Sequence, residues 1–168
     1  MDGAADVVRA VMDDVRRTDW AAWAICLPDQ VVDVDPARVV PAVEALVDAP
    51  SSEAAERAYH LVLDAVGHDH SGTPTLAMVP AAHLLARLVP HLDVSASAAM
   101  GVVVECAAWC ADVPAVVGPD GSVCDVAAET VAAARSLTPL ASAWARSADA
   151  GRAAVAADLI GVVARLSA

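Results

Sequence analysis

Two stretches of this chain match one another without a gap: VPAVEALVDA at residues 40–49 and VPAAHLLARL at 79–88, 39 positions apart. The pattern is helical. Around the second copy Met78, Ala81, Ala82, Leu85, Leu88, Val89 and Leu92 recur at the three- and four-residue steps of one helix face. Leu76 and Leu84 lie off that stripe, which predicts burial on more than one side, as for a helix stacked inside an array. Each copy is followed by a second apolar segment, residues 53–66 and 96–111; in the latter Met100, Val103, Val104, Ala107 and Cys110 keep helical spacing. A period near 40 residues with two helices per period predicts an α-solenoid. One such unit cannot bury its apolar face alone, whereas stacked units build a continuous core.

The rest of the chain extends the pattern. A looser pair spans residues 122–146 and 149–166, and a degenerate leading pair lies in residues 1–27. The 168 residues therefore read as one all-α domain of about three to four repeats, with units at 1–27, 35–67, 73–112 and 122–168. Composition agrees. Alanine, the strongest helix former, makes up about a quarter of the chain, aromatics are 3% and Phe is absent. No sustained alternation and no Asn-Gly or Asp-Gly hairpin turn between long apolar runs argues for strands, so essentially none are expected. Punctuation follows the usual chemistry. Thr18-Asp19, Asp35-Pro36 and Ser52 open helices, Gly67 closes one, and Ser122 opens the helix that Thr138-Pro139 interrupts. The connector ADVPAVVGPDG at 111–121 is expected to be irregular because of its Pro and Gly.

The tandem helix pairs, the loop HSGT at 70–73 and the helix VPAAHLLARLV at 79–89 together resemble the HEAT-repeat superfamily. Pro41, Pro80 and Pro139, one in each first helix, are similar to the proline that kinks the first helix of such repeats. Over residues 36–111 the chain resembles small bacterial HEAT-like proteins, some of which look like immunity proteins of polymorphic toxins. Ala81-Ala82 stands where that group carries bulky residues. The resemblance implies a stacked helical fold that acts by binding another protein, with the second helices lining its concave surface.

Net charge is −12 and every basic residue is Arg, a balance that disfavours direct binding to nucleic acid and suits a basic protein partner or simple solubility. The most apolar window, Val102–Trp109, is interrupted by Glu105 and too short to span a bilayer, so no membrane association is expected. The N-terminus carries Asp2 and Asp6 with no basic region ahead of an apolar run, so a cytoplasmic protein is expected. Cys26, Cys106, Cys110 and Cys124 do not make a disulfide framework; Cys106 and Cys110, one turn apart, read as small buried hydrophobes.

Signals for catalysis are weak. His68-Asp69-His70, with Asp64 before it, is the one cluster of metal-ligand character, but adjacent ligands in a Gly-bounded loop are poorly preorganised. There is no G-x-S-x-G elbow, P-loop or dinucleotide fingerprint. No cofactor, metal or enzymatic activity is expected, and an enzyme using the His68–His70 loop is the weakest alternative. Trp20, Trp23, Trp109 and Trp144 suit core filling, and one left exposed in a groove would anchor a partner. What remains is an acidic stripe. Glu53, Glu56, His60 and Asp64 share one face of the segment 53–66. Glu105 and Asp112 take a comparable face of the next second helix, with Trp109 one turn from Glu105. These residues either form a solvated face or line an acidic groove. The groove reading gives an immunity protein that neutralises a basic toxin, for instance a nuclease domain; the alternative is a general HEAT-like scaffold or regulatory module.

Overall fold

A computed structural model describes residues 2–25, 27, 34–68 and 73–166. The chain is all-α, 72% helix and 5% strand. Its helices are α1 (Asp2–Arg17), α2 (Trp20–Trp23), α3 (Val39–Val47), α4 (Ser52–Val66), α5 (Met78–Leu88), α6 (Ala96–Trp109), α7 (Val126–Ser136), α8 (Thr138–Trp144) and α9 (Ala150–Leu166). Short 3-10 turns at Pro36–Arg38 and Val89–His91 flank α3 and α5.

The repeated decapeptides occupy α3 and α5 in the same burial phase. Ala42 and Ala81, Val43 and Ala82, and Leu46 and Leu85 are buried, while Glu44 and His83 are half-buried. Helix α3 packs on α4 and α5 on α6. On one side of the molecule α4 packs on α6 and α6 on α9; on the other α5 packs on α7. Helix α1 lies across the cleft between α3 and α5, packing against both through Val11, Met12 and Val15. Ion pairs tie it to each side: Arg16 to Glu44 of α3 at 2.8 Å, and Asp14 to Arg87 of α5, also at 2.8 Å. Helix α5 is the centre of the core, with Leu84, Leu85 and Leu88 buried as the two-sided apolar pattern predicts, and Leu76 buried in the turn before it.

Local chemistry differs from the sequence expectation in several places. The side chain capping α4 is Ser51, which accepts from the Ala54 N–H at 3.2 Å, rather than Ser52. Thr73-Pro74 does not open α5. It forms β2 (Thr73–Pro74), paired antiparallel with β1 (Gly67–His68), and the helix starts four residues on. Gly67 is required there by close approach, since a Cβ would lie 2.8 Å from the Thr73 carbonyl oxygen and 2.5 Å from Met78 Cε. The 111–121 connector is not wholly irregular either: β3 (Val116–Val117) pairs with β4 (Val123–Cys124) around a turn holding Asp120-Gly121, with Gly121 at φ +80°. An Asp-Gly hairpin does therefore join two short apolar runs, against the expectation of essentially no strand. Helix α7 therefore begins at Val126, capped by Asp125 accepting from the Ala128 N–H at 3.0 Å, not at Ser122. Pro41, Pro80 and Pro139 each fall within the first turn of α3, α5 and α8, where a missing N–H removes no helical hydrogen bond. A proline there starts a helix rather than kinking it.

Candidate partner-binding groove

Helices α4, α6 and α9 enclose a groove of about 350 Å³. Its floor is built from small and apolar groups, chiefly Ala98, Gly101 and Val104 of α6 with Ala154 and Val155 of α9. Glu56 of α4, Glu105 of α6 and Asp158 of α9 also line it, one carboxylate from each helix. Tyr59 crosses from α4, and its hydroxyl donates to Glu105 Oε1 at 3.4 Å. Gly101 makes room for that ring: a Cβ at 101 would stand 3.1 Å from Tyr59 Cε2. An adjoining depression of about 380 Å³ shares Val104, Glu105 and Asp158 and runs on to Gly161 and Arg165.

Of the residues singled out in the sequence, the structure brings Glu56 and Glu105 into this groove. The others stand around it or apart. Glu53 is exposed one turn before Arg57, which it holds at 2.6 Å. His60 is exposed, its Nε2 3.8 Å from Glu56 Oε1 and its ring edge-on to Tyr59. Asp64 is half-buried near the C-terminal end of α4. Trp109 is half-buried at the end of α6, and its Cζ3 lies 3.5 Å from where a Cβ of Gly67 would be. Asp112 does not share a helix face with Glu105, because α6 ends at Trp109 and Asp112 falls in the following turn. Tyr59, Asp158 and Arg165 are lining residues that sequence reasoning did not select.

The electrostatic character of the groove follows from where the arginines are committed. Arg9, Arg16, Arg17 and Arg87 all pair with carboxylates of α1 or α3 on the opposite side of the molecule. Arg152, beside the groove, is held by Asp93 at 3.1 Å and stacks over Trp144, 5.1 Å from the ring centroid. Among the described residues no arginine lines the 350 Å³ groove, and Glu105 and Asp158 make no ion pair. Three carboxylates converging there, with Arg165 lining only the adjoining depression, create a net negative potential that a concave, partly apolar wall focuses.

Other chemistry is quiet. Cys106 and Cys110 are buried, as predicted, and the Cys110 thiol donates to Met78 Sδ at 3.8 Å. Burial pushes the Cys110 thiol up to about 12 and, with the neighbouring Cys110 and Glu105, raises Cys106 well above its ordinary value. Trp20 is buried, with its indole N–H donating to the Val15 carbonyl at 2.8 Å. The His68-Asp69-His70 cluster lies largely outside the described residues. Among those described, no group of three His, Cys, Asp or Glu side chains could hold a metal ion. Nor is any described helix long and apolar enough to cross a membrane. No family model matches the chain, and neither a curated protein nor a solved structure is significantly similar to it.

Proposed function

We propose that this protein is a binding module, a short HEAT-like stack of helix pairs whose α4/α6/α9 groove docks a basic protein. The observation that carries the reading is the convergence of Glu56, Glu105 and Asp158, from three helices, on one groove that no arginine lines. A surface of this kind steers a cationic partner into encounter and excludes a polyanion from the same place. Together with the sequence resemblance, it supports an immunity protein that covers the cationic cleft of a toxin, such as a nuclease domain, and so blocks its substrate.

The test is kinetic. A partner recovered by pull-down from the native host is measured against wild type and against the variant Glu56→Gln/Glu105→Gln/Asp158→Asn. Exposed carboxylates such as Glu56 and Asp158 add little to folding, and Gln at half-buried position 105 keeps an acceptor oxygen for the Tyr59 hydroxyl, so the variant should melt close to the wild type. Its association rate should drop, and the wild-type rate should fall steeply between low and physiological ionic strength. Equal rates for the two proteins, with no dependence on salt, would place the interface elsewhere.

A further inference from the structure

The groove and its adjoining depression form one trench between α6 and α9, since Val104, Glu105 and Asp158 line both. Along α6 it runs from Ser97 to Ala108, a length of about 16 Å at the helical rise per residue. Short side chains line both helices: Ser97, Ala98 and Ala108 on α6, and Gly151, Ala154 and Ala157 on α9, while Tyr59 lies over Gly101 and Arg165 beside Gly161. Short side chains let a third backbone approach two packed helices closely. A length near three turns matches a helix laid lengthwise. The charges are ordered along the trench, with Glu105 and Asp158 at the junction of its two parts and Arg165 at the far end.

From this geometry we infer that the trench takes one helix of the partner, about three turns long, with small or apolar residues against the floor and Arg or Lys at its middle. The inference rests on the proposed binding function and adds the form of the element recognised. An extended basic segment satisfies the same charges but leaves two rows of small residues poorly covered. A helix fills the trench and brings its central cations to Glu105 and Asp158 together, in the manner of helix-in-groove recognition.

The probe is a synthetic Ala-rich peptide of 18 residues, helical in solution, with two arginines one turn apart at its centre. Its control differs only in two alanines near the centre replaced by prolines, which abolish the helix. Binding is followed by fluorescence anisotropy against wild type, Ala154→Trp and Ala157→Trp. Both alanines are exposed and line the trench, so the larger side chain obstructs it without changing charge or core, and circular dichroism confirms that each variant keeps its helix content and melting temperature. The helical peptide is expected to bind at least tenfold more tightly than the control, and either tryptophan is expected to weaken it at least tenfold. Equal binding of helical and Pro-broken peptides, unaffected by tryptophan but lost in the Glu56/Glu105/Asp158 variant, would overturn the helix inference and leave the acidic docking surface standing. Absence of binding by both peptides would overturn the helix inference too, and unchanged rates in the partner experiment above would then remove the docking surface as well.

Discussion

Leu85 offers the sharpest test of the packing argument. It is 1% exposed on α5, the helix that packs on α1, α6 and α7 at once, so its neighbours are held from several sides. Truncation to Ala removes the apolar contact and leaves a void that such a crowded site cannot collapse into. The expected loss is in the middle of the roughly 2–5 kcal/mol range for buried Leu→Ala, about 3–4 kcal/mol. With an unfolding entropy near 2.1 cal/mol/K per residue over 168 residues, about 0.35 kcal/mol/K in all, the melting temperature should fall by about 8–12 °C. Leu46 is the matched comparison, 39 positions earlier in the repeated decapeptide and fully buried, but on α3, which packs chiefly on α4. Leu46→Ala should cost somewhat less, because a helix with fewer neighbours closes the void more easily. Leu61, 43% exposed on α4, should lose under about 1 kcal/mol on the same change. Urea titration at constant m-value reads all three. If Leu85→Ala proves no more costly than Leu61→Ala, the helix phase assigned to the repeat is refuted.

Two further outcomes follow from individual side chains. Hydrogen bonds from Arg87 and then Arg17 hold the Asp14 carboxyl below the usual carboxylate range, so its contribution is present above the unfolded-state value and lost as pH falls through the folded one. The melting temperature should therefore depend less steeply on acid pH in Asp14→Asn than in wild type, a difference that scanning calorimetry between neutral and acid pH would show or exclude. Cys106 and Cys110, with thiols raised by burial, should resist alkylation in the native protein and react on unfolding, while the half-buried Cys124 reacts sooner; mass-spectrometric mapping of the modified positions checks the order.

The helices were legible in the sequence because periodicity reports directly on burial, and the Met78–Leu92 stripe and its off-stripe leucines were buried almost throughout. Their starts were less so. Ser51, not Ser52, caps α4, and Asp125, not Ser122, caps α7, because which of several neighbouring hydroxyls or carboxylates reaches a free N–H depends on a turn geometry that composition leaves open. The site was half legible. The spacing on α4 and α6 picked out Glu56 and Glu105, but spacing gives the angle around one helix, not the direction from which another arrives. Tyr59 was passed over although it lies between Glu56 and His60. Asp158 was passed over although it repeats, in α9, the lone carboxylate in a small-residue helix that Glu105 is in α6. Aligning α9 with α6 as a second helix would have found it.

The placement of α1 connects the fold to the groove. In the repeat, Glu44 and His83 hold the same position, and each reaches sideways to a neighbouring helix: Glu44 to Arg16 of α1, His83 to Glu129 of α7 at 3.0 Å. Against α3, then, α1 stands where α7 stands against α5. The leading helix thus occupies a place between the two repeats, and Arg87 with Asp14 closes it on the far side. A helix is about 10 Å across, and this one packs against both α3 and α5, while α4 packs directly on α6 and α6 on α9. The same ion pairs that seat α1 also commit Arg16, Arg17 and Arg87 to its side, away from the groove that Glu56, Glu105 and Asp158 line. The seating of α1 and the charge of the groove are in this way linked through the same arginines.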